Sequence, residues 1–365
     1  MRFFAVVKRT IEPTLAELLL MFVLMLLVAG VLLNTWSRIP KDLGNWSDNG
    51  SYLQVIDHLR GSPITEPEPP VHFWDFPYAI LLLSWLSRIS DIRSLVVLCI
   101  LFSLCATVMI RELYGGWVAA FFLVIDYEWI HLSILGGNEP LFMVFLYGSF
   151  LAWRRRLYLL AAGLASLATV TRPIGILALI AFGILLVKWK RWGELGKVIF
   201  LSSAIGGLYL WHVARVFGTP FANFVGYRRD WGASGFPFTY PLHAIIPSYI
   251  MLAHQIKATS VIWFAIWPVA AVVGLWAPFR RINRTEWNRP ELFFAFAYCT
   301  FLYVYNLSVM SENFSRFLIP VLPILIWGMR DCLPKSRAII WSLALICSVC
   351  SVAALVGFRT FRHLV

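Results

Sequence analysis

Thr14-Leu-Ala-Glu-Leu-Leu-Leu-Met-Phe-Val-Leu-Met-Leu-Leu-Val-Ala-Gly-Val-Leu-Leu-Asn34 is a 21-residue run broken by a single charge, Glu17. Wound as a helix it rises about 31 Å, enough to cross the ~30 Å of hydrocarbon in a bilayer. Similar runs recur to Gly357, and we read spans at 14–34, 94–110, 116–131, 139–153, 157–171, 174–188, 197–217, 260–279, 292–308, 317–330 and 338–357. Membrane β-barrels show short alternating segments instead. The expected class is therefore all-α, a polytopic membrane protein of about eleven transmembrane helices. Composition agrees: 60% of the 365 residues are hydrophobic, 14% are charged, and the mean hydropathy is +0.75. Residues 1–365 read as one integral membrane domain.

Charge sets the expected orientation. With the N-terminus cytoplasmic, 18 of the 31 Lys and Arg residues fall on the inner side and 12 of the 19 acids on the outer side. That is the asymmetry of the positive-inside rule. The net charge of +12 is thus a topology signal and not a nucleic-acid footprint. The first helix follows Pro13 without a small-residue cleavage site, so an uncleaved anchor is expected. The six cysteines fall in spans or on the inner side, which implies no disulfide framework.

The polar mass lies in two outer loops, 35–93 and 218–259, while the inner loops are short and basic. Function at the outer face is the expectation, because loops carry function on a rigid scaffold. No internal repeat is visible. In the first loop, Ser47-Asp48-Asn49-Gly50 offers N-cap chemistry, and Tyr52, Val55, Ile56 and Leu59 follow at helical spacing before Gly61. This predicts a short helix on the bilayer with Asp48 at its start. Segment 76–89 is too short to span and ends in charge, so it lies in the interface or re-enters and extends the first loop. Later outer helix ends carry Asn138-Glu139-Pro140, Thr171-Arg172-Pro173 and Glu312-Asn-Phe-Ser-Arg316. Asp126 and Glu128 lie near a span edge, where acids are costly. Gly136-Gly137 lacks the strand and lysine of a nucleotide loop.

In order along the chain, Asp48-x-x-x-Tyr52, the approach His72–Pro77, Asn138-Glu139-Pro140-Leu141-Phe142, Thr171-Arg172-Pro173-Ile174-Gly175 and Arg316-Phe317-Leu318-Ile319-Pro320-x-x-Pro323 resemble the landmarks of the GT-C glycosyltransferases. Those membrane enzymes take sugars from polyprenyl-phosphate carriers. The second loop, with Gly218-Thr-Pro220-Phe221-Ala222, Phe224, Tyr227 and Trp231, is similar to bacterial relatives of the GPI mannosyltransferase II type. Asn138 stands where Ser is usual and Tyr227 where Gln is common. An Asp-x-Asp is absent, so no metal ligands are assigned, although a divalent metal stays open.

The resemblance implies an inverting transferase at the outer face of a bacterial inner membrane, with a polyprenyl-phosphate sugar as donor, mannose by subgroup, and an unspecified acceptor. It assigns the base to Asp48. Glu139 orients Asp48 and the acceptor, or is simply a carboxylate placed well at a helix N-terminus. Phosphate calls for guanidinium forks, and Arg316 and then Arg172 are the candidates; an ion pair of structural purpose is the open alternative for Arg172. Tyr52, Glu312, Arg228, Arg229 and Trp231 complete the expected substrate-binding set, with His72 and Asp75 on the Pro-rich approach. Competing readings are a ligase or polymerase using lipid-linked oligosaccharide, and a non-enzymatic flippase.

Overall fold

In a computed structural model, the structure describes residues 12–36, 48–62, 75–222, 272, 276, 289–304 and 314–362. The described residues are helical, with no strand among them. In chain order the helices are α1 (Leu15–Trp36), α2 (Asn49–Leu59), α3 (Asp75–Ser87), α4 (Asp91–Tyr114), α5 (Gly116–Ile125), α6 (Tyr127–Leu135), α7 (Glu139–Arg154), α8 (Tyr158–Thr171), α9 (Ile176–Lys188), α10 (Trp192–Phe217), α11 (Pro290–Val304), α12 (Phe314–Leu318), α13 (Leu322–Gly328) and α14 (Arg337–Arg362). Among the described residues, three stretches, Leu15–Leu32, Asp91–Tyr114 and Trp192–Val216, are long and apolar enough to cross a membrane.

The expected span 116–131 is two helices. α5 and α6 meet at a bend of 78°. Asp126 makes the break: its backbone is extended and its side chain accepts from the Glu128 amide at 3.0 Å, so it caps α6 and ends α5. An apolar run reports burial but not direction, and this kink is invisible to hydropathy. The expected span 260–279 lies outside the described residues apart from 272 and 276.

α7 occupies the middle. It packs on α4 along one side and α8 along the other, and α10 backs α8. α14 packs on α1, α5 and α6. The buried faces are rich in aromatics: Tyr147, Phe150 and Phe182 interlock, and Trp153 stacks on Phe182 at 4.5 Å. Offset and edge-on contacts of this kind each add about 0.5–1.5 kcal/mol beyond area burial. Outward positions such as Leu20, Leu27, Leu101, Ile180 and Leu208 remain exposed apolar surface.

Ion pairs tie the helix ends. At the C-terminal end of α7, Arg154 bonds Glu291 of α11 at 2.7 Å and the Leu113 carbonyl of α4. Arg337 of α14 bonds Glu17 of α1 at 2.8 Å. On the other side of the bundle, Arg60, just past α2, takes both oxygens of Asp91 at 2.5 and 2.8 Å, which staples the first-loop helix to α4.

Candidate active site

The spacing of apolar residues in the first loop predicts the face that α2 buries. Tyr52, Val55 and Ile56 are buried, and Tyr52, Ile56 and Phe76 form a small core with Ile80, Leu95, Cys99 and Leu141. Asp48 precedes α2 as expected, but its side chain makes no capping bond there. It reaches instead to Arg316, whose Nη2 donates to Asp48 Oδ2 at 2.6 Å. A guanidinium offers more to a carboxylate than a backbone amide does.

Arg316 has a second anionic partner. Its Nε donates to Glu139 Oε1, and Arg172 Nη1 donates to the same oxygen. Among the described residues, groups from positions 48, 139, 172 and 316 thus form one network of two carboxylates and two guanidinium groups. Glu139 is fully buried, while the side chains of Arg316, Arg172 and Asp48 keep 13%, 20% and 27% exposure. A carboxylate this deep persists as a charge only when paired. Its place at the first turn of α7 adds a favourable helix dipole.

Each member is fixed by its own element. Arg316 sits in α12, whose Phe317 carbonyl accepts from Tyr298 at 2.6 Å, while Tyr147 of α7 bonds the Pro320 carbonyl at 2.8 Å. Arg172 follows the last turn of α8 in extended backbone and lies 5.8 Å from the Phe317 ring centroid. Pro173 prevents α8 from continuing through it. Asn138, the departure from the expected Ser, donates to the Thr171 carbonyl at 3.1 Å and so ties the start of α7 to the end of α8. Asn49 donates to the Leu135 carbonyl at 2.6 Å and ties α2 to the end of α6.

The turn between α6 and α7 needs glycine. Gly136 has φ +105°, and a Cβ there would lie 2.5 Å from both Asn49 Oδ1 and Leu95. The pair set aside as a nucleotide loop therefore has a positional role: it lets α2 approach Glu139.

Tyr52 borders the network with its phenol pushed well up, first by burial and then by the charges of Asp48 and Glu139. It stays a neutral hydroxyl. Asp75 opens α3 and is partly exposed. Thr171 Oγ1 donates to its Oδ2, and the Phe76 amide donates to its Oδ1 at 2.9 Å. Loss of surrounding water pushes the Asp75 carboxyl up to about 6. Asp48, Tyr52, Glu139, Arg172 and Arg316 are thus brought together, with Asp75 alongside. His72, Arg228, Arg229, Trp231 and Glu312 lie outside the described residues.

Neither a protein-family model, nor a curated protein, nor a solved structure matches this chain. Among the described residues no group of three His, Cys, Asp or Glu side chains is set to hold a metal ion. Asp126 and Glu128 serve locally: the first caps α6, and the second faces His131 Nδ1 at 3.4 Å while His131 Nε2 meets the Ser351 carbonyl at 2.7 Å. Sequence reasoning missed Asn49, Gly136, Tyr147 and Tyr298 as builders of the site. Only the glycine pair before Asn138 carried a local signal.

Proposed function

We propose that the protein is a polytopic membrane glycosyltransferase of about eleven spans, N-terminus cytoplasmic, working at the outer face of a bacterial plasma membrane. It inverts the anomeric centre as it moves a sugar, mannose first among the candidates, from a polyprenyl-phosphate to a hydroxyl of a lipid, glycan or protein. The observation that carries this reading is the sharing of Glu139 by Arg316 and Arg172, with Arg316 also on Asp48. Charges cluster in this way at sites where an anion must be received and a proton moved.

Two arginines suit the donor. The planar guanidinium fork matches phosphate oxygens and keeps its charge when partly buried. The leaving group is a phosphate whose charge grows as the glycosidic bond breaks, and fixed cations stabilise that growth more than they stabilise the ground state. Glu139 holds both arginines on one carboxylate oxygen. Asp48 is the more accessible of the network's two carboxylates. The setting suits a lipid-linked donor as well. α7, with 16 residues, and α8, with 14, rise only about 21–24 Å, short of the ~30 Å core. With their basic ends at the inner surface, helices this short would stop below the outer surface, and Glu139 and Arg172 would meet a phosphate at the headgroup level.

The test is turnover by the full-length protein in membranes. Given decaprenyl-phosphate mannose and a mixed acceptor lipid extract, it should form mannoside, and Arg316→Ala should lower the rate by ~10²-fold or more. Arg316→Lys keeps the charge without the fork and should fall between. Turnover from free GDP-mannose alone would sink the donor class, and movement of the intact lipid-linked sugar across liposomes without glycoside formation would indicate a flippase.

A further inference from the structure

Asp75 is joined to the residues of the ion-pair network through two neighbours. Phe76, its neighbour in the chain, packs edge-on against Tyr52 at 5.2 Å, and Tyr52 lies one turn beyond Asp48. Thr171, which bonds its carboxylate, precedes Arg172. Among the described residues no basic side chain pairs with Asp75; its partners are the Thr171 hydroxyl and the Phe76 amide.

Two acceptors compete for one hydrogen at Thr171. Its Oγ1 meets Asp75 Oδ2 and also the Leu167 carbonyl, 2.9 Å away one turn back in α8. A hydroxyl has a single hydrogen and two lone pairs. With Asp75 ionised, the hydroxyl donates to Oδ2. With Asp75 protonated, the carboxyl donates to Oγ1 and the Thr171 hydrogen turns to Leu167. Both charge states are therefore satisfied by one rotation about a C–O bond. Asp48 and Glu139 have no such arrangement, since a proton on either breaks an ion pair with arginine.

We infer that Asp75 is the base of the proposed transfer, taking the proton of the acceptor hydroxyl, and that Thr171 is a positioning residue that lets Asp75 change charge without losing a hydrogen bond. The inference rests on the glycosyltransferase reading. In the step, the acceptor oxygen bonds the anomeric carbon, the bond from that carbon to the phosphate oxygen breaks, and its electron pair leaves with polyprenyl phosphate. The acceptor's proton passes to Asp75 and from there to water. Asp48 then serves to hold Arg316. The upward displacement of the Asp75 carboxyl to about 6 suits a base that is ionised yet proton-seeking at neutral pH.

Several titratable groups share the helices packed against α3: Tyr52, Asp57 and His58 in α2 with Arg60 just past it, Asp91, Arg93 and Cys99 in α4, and Arg172 after α8. Arg60 and Asp91 pair with each other, Arg172 with Glu139, and Cys99 with the Gly137 carbonyl. A pH profile is therefore read as the difference between wild type and variants at Asp75 and Thr171.

The experiment compares a nucleophile that must lose a proton with one that need not. Full-length protein in nanodiscs receives decaprenyl-phosphate mannose with either water and lipid hydroxyls or azide ion as acceptor. Asp75→Asn should lower hydroxyl transfer by ~10²–10⁴-fold while azide transfer stays within a few-fold of wild type. Arg316→Ala should lose both. The hydroxyl reaction of the wild type should fall off below about pH 6, and Thr171→Val, which removes the donor to the ionised form, should move that limb upward by about one unit, with Thr171→Ser restoring it. Asp75→Asn that transfers to hydroxyls at the wild-type rate, or loses azide and hydroxyl transfer equally while still binding donor, overturns the inference. Should Asp75→Asn fail to fold, an unmoved limb in Thr171→Val overturns it. Wild type that forms neither mannoside nor mannosyl azide removes the glycosyltransferase reading, and the base with it.

Discussion

Glu139 is the residue on which the site's stability and its chemistry both depend. Its carboxylate is fully buried and receives two arginines, one of them shared with Asp48. Glu139→Gln keeps the shape and removes the charge, which leaves two guanidinium groups facing each other across a neutral amide. Breaking one side of a buried pair costs about 3–5 kcal/mol, so this variant should unfold at much lower temperature in detergent than wild type. Asp48→Asn should cost far less, because its side chain is 27% exposed and water can replace it. Differential scanning fluorimetry on the purified pair checks the ranking, and equal losses would mean that the network is not built around Glu139. Asp48 also marks the limit of local reading. Its sequence context is that of an N-cap, yet its partner is 268 residues away, and no window along the chain contains that fact.

At the scale of elements, the first-loop helix was legible and the turns that receive it were not. The spacing of Tyr52, Val55 and Ile56 specifies both the helix and its buried face, Leu59 lies half-buried near its end, and Gly61, at φ +97°, follows it. The kink between α5 and α6 and the glycine turn before α7 depend on which elements they meet. Asp126 inside an apolar run was the one residue that hinted at a break. Gly136 tests the turn directly. Its φ of +105° and the 2.5 Å approach to Asn49 and Leu95 mean that Gly136→Ala is strained in backbone and in space. The expected loss is about 1–3 kcal/mol, accompanied by reduced turnover although no charged group is altered. Gly207→Ala in α10, where nothing lies within 4 Å of the added carbon, is the matched control and should be neutral or slightly stabilising. Equal behaviour of the two variants would show that α2 does not dock through this turn.

For the whole molecule, helix length and the placement of charge make a joint prediction about depth. α7 begins at Glu139 and ends at Arg154, about 22 Å apart along its axis, with an ion-pair network at each end. α4 and α10, with 24 and 26 residues, are longer than α7 and α8 by roughly 12–18 Å. Apolar runs of helical length made the all-helical class legible; they left depth illegible because a short buried helix and a short loop-bounded span have the same composition. If the basic ends face the cytoplasm, the two ends of this bundle differ in access to an impermeant reagent. In a background with the native cysteines replaced, Ser62→Cys, just past α2, should react with a charged maleimide on intact bacterial cells. Arg156→Cys, in the turn between α7 and α8, should react only after the membrane is opened. Thr171→Cys lies at the recessed end and should label from outside more slowly than Ser62→Cys, and more slowly still with decaprenyl-phosphate mannose present. Labelling of Arg156→Cys on intact cells would invert the orientation and put the arginine network on the cytoplasmic side, where the donor's phosphate would have to be met from within.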